Sequence, residues 1–214
     1  MKKVVKFGGS SLANAEQFQK VGEIIRSEES RRYVVPSAPG KRFDGDTKVT
    51  DMLYACYAAA EAGKEFSGKL QAIKERFREI IQGLSLDLSL DREFEQIAAD
   101  FSAHAGKEYA ASRGEFLNGK VMAAYLGYEF VDAAEVIRFD KNGVLEAEKT
   151  NKLLGKRLAK CEKAVIPGFY GAEDSGKVRT FSRGGSDVTG SLVAKAIMAD
   201  LYENWTDVSG FLVT

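Results

Sequence analysis

Apolar runs of strand length, helical-period segments between them and glycine loops at the joins predict an α/β domain with a mostly parallel sheet covered on both faces. Ligands are expected beyond the carboxyl ends of the strands, where the glycine loops should gather. With 214 residues there is material for one well-filled domain, and a single domain over 1–214 is the expectation.

The opening unit is strand, glycine turn, helix. Lys3 to Phe7 reads as a strand ending in Gly8-Gly9-Ser10-Ser11, after which Phe18, Val21, Ile24 and Ile25 recur at helical spacing. Asn14, with Gln17 three residues on, forms a capping pair that starts this helix just past the glycines. Tyr33-Val34-Val35 is a short second strand, and its continuation Pro36 to Gly40 is a loop by its prolines and glycine. Thr50 reads as the N-cap of a buried helix that ends at Gly63. Phe66, Leu70, Ile73, Phe77, Ile80 and Ile81, then Phe94, Ile97, Ala98 and Phe101, step by three and four. They describe a helical scaffold over most of Lys64 to Tyr109.

After Arg113-Gly114-Glu115 a helix from Phe116 to Leu126 is expected, then short strands around Glu129 to Asp132, Val136 to Phe139 and Val144 to Ala147. A helix near Asn151 to Ala159 precedes Lys163 to Phe169, a central strand by its apolar run. Ser182 to Asp187 breaks into the helix Val188 to Met198, and Leu201 to Thr206 is another strand. Asp207 to Thr214 looks like a turn entering a strand that stops, so the domain is expected to be truncated.

Lysine plus arginine (31) equal aspartate plus glutamate (31), so no overall field would draw the chain to nucleic acid or to an anionic membrane. Any anion must be gripped locally. No apolar run approaches the roughly 20 residues of a membrane span, and two apolar residues after Met1-Lys2-Lys3 fall far short of a signal peptide. A cytoplasmic protein is expected. Cys56 and Cys161 sit in apolar-periodic segments with no cysteine or histidine at metal spacing, which reads as buried thiols, with no metal site. His104 is the only histidine, so a triad would have to run through a residue whose ordinary place is surface or core.

There is no G-x-x-x-x-G-K-[ST], and no G-x-G-x-x-G follows a strand, which removes P-loop kinases and dinucleotide folds. Three other glycine loops remain, at Lys6 to Ser11, Arg113 to Glu115 and Ser182 to Asp187, with Thr50-Asp51 besides. In Lys6 to Ser11, paired glycines let backbone amides approach a phosphate, and Lys6 adds a point charge; the alternative is a turn that merely needs small residues. In Ser182 to Asp187, capping accounts for Ser186 and Asp187 but not for Arg183, whose guanidinium suits a bidentate grip on a carboxylate; the alternative is a solvated surface arginine. Glu115 reads either as a complement to a helix dipole or as a partner for a substrate ammonium group. Thr50-Asp51 reads first as a cap and second as donors for a carboxylate.

Taken together, the loops resemble those of aspartokinases. Lys6 to Ser11 is similar to that family's Lys-Phe-Gly-Gly-Ser/Thr-Ser opening, and Ser182 to Asp187 to its Gly/Ser-Arg-Gly-Gly-Ser-Asp loop. Trp205-Thr206-Asp207-Val208 resembles its nucleotide-side turn, with Val49-Thr50-Asp51 and Arg113-Gly114-Glu115 between. The resemblance implies the amino-acid-kinase fold, an αβα sandwich, and ATP-dependent phosphorylation of the β-carboxylate of L-aspartate. It implies that Lys6, Gly8, Gly9 and Ser10 cradle the γ-phosphoryl, with Lys6 and Asp187 catalytic. Ser37, Thr50, Glu115, Arg183, Ser186 and Asp187 would hold aspartate, Glu115 at its ammonium and Arg183 at its α-carboxylate. Thr206, Asp207 and Val208 would lie against the nucleotide, with magnesium bridging the phosphates. It also implies a homo-oligomeric full-length protein. The chain departs from the family in carrying Pro36 before Ser37, and in stopping before the segments that complete the nucleotide site and the regulatory domains, so weak or absent kinase activity is expected of this piece. The rivals are a kinase of glutamate, acetylglutamate or carbamate within the same fold, and a non-catalytic amino-acid-binding module.

Overall fold

The computed structural model describes residues 1–206. Strands β1 (Lys3–Phe7), β2 (Arg31–Pro36), β3 (Glu129–Phe130), β4 (Ala164–Val165) and β7 (Leu201–Trp205) form one sheet in the order β3-β4-β2-β1-β7, with every pairing parallel. Side chains alternate across it. Val5, Phe7, Val34 and Val165 enter one apolar cluster; Val4, Val35, Ala164 and Ile166 enter the other. The first face is covered by α1 (Ala15–Arg26), α2 (Val49–Glu61), α3 (Ser67–Gly83), α4 (Asp91–Ser102) and α5 (Lys107–Leu126). The second is covered by α6 (Ala133–Val136), α7 (Ala147–Leu158), α8 (Gly185–Ala196) and an antiparallel hairpin, β5 (Tyr170–Ala172) with β6 (Val178–Thr180). This is the expected three-layer αβα arrangement. Phe18, Phe77 and Phe101 are fully buried on the first face, and burying such a ring stabilises by about 1.5–3 kcal/mol. The helical steps read as scaffold are therefore core.

The structure corrects several boundaries. Arg113-Gly114-Glu115 does not precede a helix; it lies about two turns inside α5. Glycine reads as a breaker, but α5 is buried on nearly all sides, and a Cβ on Gly114 would stand 2.8 Å from the Ala38 Cβ. The glycine lets the helix approach the loop after β2. Thr50 is not the cap of α2, which begins at Val49 with Lys48 in the cap position. The strands around 136–139 and 144–147 reduce to single bridges, Arg138 with Ala172 and Phe139 with Leu145, because α6 occupies 133–136. The expected central strand is short and next to the edge strand β3, since Pro167 brings no N–H to extend the ladder. The β5–β6 hairpin was not predicted. Asn14 does cap α1, its Oδ1 accepting from the Gln17 amide at 3.0 Å. Asp207 to Thr214 lie outside the described residues.

Candidate active site

Parallel register builds the site's floor. Phe7 pairs with Pro36 on one side and Trp205 on the other, so the chain leaves the sheet at Gly8, Ser37 and Thr206 side by side at its carboxyl edge. The first two meet backbone to backbone. Gly40 donates its N–H to the Gly9 carbonyl at 2.8 Å. A Cβ on Gly9 would stand 2.7 Å from the Ala38 oxygen, and one on Gly40 would stand 2.6 Å from the Gly9 carbonyl carbon. Both glycines are thus required by close approach. The Gly8 amide is engaged, at 3.4 Å, by the Trp205 carbonyl, whereas those of Gly9, Ser10 and Ser11, at the start of a 3-10 turn, have no partner among the described residues.

Alternation along β1 also aims Lys6. Val5 and Phe7 point to the α1–α5 face, so Lys6 points to the α8 face, where its Nζ meets Asp187 Oδ1 at 2.8 Å. Asn204 Nδ2 donates to the same oxygen at 3.2 Å. Asp187 lies in the first turn of α8, where a carboxylate is favoured by the helix dipole. Beside it, Ser186 is buried and linked to Ser37, Oγ to Oγ at 2.9 Å. Gly184, at φ +56°, takes the left-handed conformation that lets the chain turn into α8. Arg183 is exposed and has no ion pair or hydrogen bond among the described residues.

A cleft of about 470 Å³ opens at this edge, lined by Gly9, Ser10, Ser37, Thr50 and Glu115 together with Ala38, Pro39, Gly40, Lys41 and Lys48. Glu115 is its buried end. Burial pushes the carboxyl up to about 8, although the amide of Ala38, its own amide and the Arg113 charge pull it partway back. Its Oε2 is buried without a hydrogen-bond partner among the described residues. A larger groove, about 570 Å³, runs between α3 and α4 past Phe66, Leu70 and Phe94. It is mostly apolar and carries none of the glycine loops, so the smaller cleft is the candidate.

Five of the sequence-predicted residues, Gly9, Ser10, Ser37, Thr50 and Glu115, therefore line one cleft. Gly8 adjoins it in the chain. Ser186 is tied to it through Ser37, while Lys6 and Asp187 form a separate pair on the α8 face. Thr206 follows β7 at the same edge; Asp207 and Val208 lie outside the described residues. Sequence reading missed Asn118, which donates to the Ser37 carbonyl at 2.6 Å, and Asn204 beside Asp187. Its one signal was two polar residues, Glu115 and Asn118, three apart on a helix made largely of small and apolar residues.

Against known proteins, the amino acid kinase family model matches residues 1–214. Aspartokinase 3 of Bacillus subtilis is 41% identical over 96% of this chain and 48% of its own length. Among solved structures, the Clostridium acetobutylicum aspartate kinase superposes with a TM-score of 0.95 at 51% identity, over 99% of this chain and 49% of that one. E. coli aspartokinase III in complex with aspartate and ADP gives 0.82 at 27% identity, over 98% and 50%. The chain thus spans about half the length of the relatives it matches. With a family model matched from end to end and the αβα layers to go with it, this chain belongs to the amino acid kinase family.

Proposed function

We propose that this chain is the catalytic domain of an aspartate kinase, transferring the γ-phosphoryl of ATP to the β-carboxylate of L-aspartate to give 4-phospho-L-aspartate. The observation that carries it is Glu115: a buried carboxyl with one oxygen unpartnered among the described residues, in a cleft that the glycine loop also lines. An amino acid with an ammonium group at Glu115 would present its side chain toward Gly9 and Ser10. Glu115 has to ionise to receive that ammonium, and ion pairing would supply the drive. Arg183, exposed and without a partner among the described residues, suits the α-carboxylate, and Ser37, Thr50 and Ser186 supply hydroxyls around it. The B. subtilis, C. acetobutylicum and E. coli relatives support aspartate over glutamate, acetylglutamate or carbamate.

In the transfer, a β-carboxylate oxygen of aspartate forms the new O–P bond, the bond from γ-phosphorus to the bridging oxygen breaks, and its electron pair leaves on ADP. Lys6, whose Nζ lies 3.9 Å from where a Cβ on Gly8 would stand, and the amides of Gly9 and Ser10 are assigned to the charge that develops. The attacking carboxylate is ionised at neutral pH, so no general base is needed. Thr206, Asp207 and Val208 are assigned to the nucleotide side, as is Gly8 to the phosphate. Asp187 keeps its Oδ2 clear of hydrogen bonds among the described residues and is half-exposed beside Lys6, so it is the residue that would hold a magnesium ion. Magnesium, when bound, neutralises charge on the transferring group.

The whole protein is proposed to be a cytoplasmic homo-oligomer in amino-acid biosynthesis; no helix among the described residues is long and apolar enough to cross a membrane. Trapping the acyl phosphate with hydroxylamine tests the assignment. The full-length chain with Mg-ATP should form the hydroxamate of aspartate. Turnover of glutamate, acetylglutamate or carbamate instead would replace aspartate as substrate, and no turnover of any would leave a binding module.

A further inference from the structure

Arg76 stands on the core side of α3, in line with Ile73, Phe77 and Ile80, and is 3% exposed. A scaffold alone would be served as well by an apolar residue here, since a buried ion pair is seldom more stable than the hydrophobic group of its size. The guanidinium is instead spent on loops. Nη2 donates to the Gly40 carbonyl at 2.6 Å and, more loosely, to that of Ala13 at 3.4 Å; Nη1 donates to Asp46 at 2.9 Å. Asp46 also accepts from the amide and guanidinium of Arg42, which hold its carboxyl far below the usual range. Gly40 in turn donates to Gly9. One buried cation therefore ties α3 to both ends of the segment 40–46 and, through Gly40, to the glycine loop. Lys41, Lys48 and Thr50, carried by or just beyond that segment, line the cleft.

We propose that Arg76 is a positioning residue for the substrate site: through Gly40 and Asp46 it holds the wall of residues 40–48 in the shape that receives the acidic amino acid. This rests on the reading of the cleft as the aspartate site. The test compares the protein with its Arg76→Met and Asp46→Asn variants by calorimetric titration with L-aspartate and by amide hydrogen exchange. In both variants, exchange over residues 40–48 should rise at least about tenfold while β1 and β2 stay protected, and aspartate affinity should fall about tenfold or more. In the full-length enzyme the change should appear in KM for aspartate, with kcat and KM for ATP little altered. Where Arg76→Met fails to fold, Asp46→Asn decides. Unchanged loop exchange, or faster exchange with unchanged affinity, overturns the proposal. Absence of aspartate binding by the unaltered protein counts against the cleft assignment instead, and the exchange comparison alone then decides whether the clasp holds the wall.

Discussion

The two loops that meet at the Ser37–Ser186 hydrogen bond are held in opposite ways. The wall from residue 37 to 50 is gripped from behind: Arg76 takes the Gly40 carbonyl, Asn118 takes that of Ser37, and Gly40 lies against Gly9 with no room for a Cβ. The loop from 182 to 187 is anchored only where it becomes α8. Ser186 and Asp187 have partners, Gly184 takes the left-handed turn, and Arg183 stands exposed with none among the described residues. One half of the site is therefore built before any ligand arrives, and the other half has its charge in reserve. Fixing a free arginine costs up to about 2 kcal/mol of rotamer entropy, which a bidentate carboxylate contact must exceed.

The largest effect is expected where the halves meet the phosphate. Lys6→Met should lower aspartyl phosphate formation by about 10² to 10³, the scale for losing one preorganised charge at a developing anion. Since Asp187 is half-exposed, the melting temperature should barely move. A rate within a few-fold of the original would remove Lys6 from the chemistry.

Next, the contrast between the loops can be broken directly. Arg183→Ala should weaken L-aspartate binding by about ten- to a hundredfold, as for a lost charge-assisted hydrogen bond, at unchanged stability. Gly40→Ala should do what Arg183→Ala does not and destabilise the fold, by about 1–3 kcal/mol, because its Cβ has no space against Gly9. Denaturant unfolding of the two variants side by side is the check. Equal stability losses would mean that the loops are not differently held.

The third effect is one of pH. Because burial raises Glu115 from its ordinary 4.5 to about 8, the ligand-free fold binds a proton that the unfolded chain has released. That contribution to stability is complete below about 4.5, falls as pH rises, and levels off above about 8. Glu115→Gln should flatten the profile over this window in urea titrations; an unchanged profile would place the raised group elsewhere.

Much of this was legible in sequence where local chemistry decides. The strand from Lys3, the Asn14 cap and the glycine turn follow from residue type and period, and the αβα layers follow from alternating strands and helices. Arg113-Gly114-Glu115 was misjudged because the helix it sits in is buried all round, so neither amphipathic period nor a glycine marks its limits. Arg76 and Asp46 were invisible for a different reason. They lie 30 residues apart and meet only through tertiary packing, and nothing local distinguishes an arginine on an apolar helix face from a surface one.

The central claim is that the buried carboxyl of Glu115 receives the ammonium of aspartate, and proton linkage tests it most directly. Calorimetric titration with L-aspartate at pH 7, in buffers of different ionisation enthalpy, should show binding that releases about one proton as Glu115 ionises. In Glu115→Gln both the release and most of the affinity should vanish. Absence of binding, or binding without proton release that Glu115→Gln leaves intact, would contradict the account.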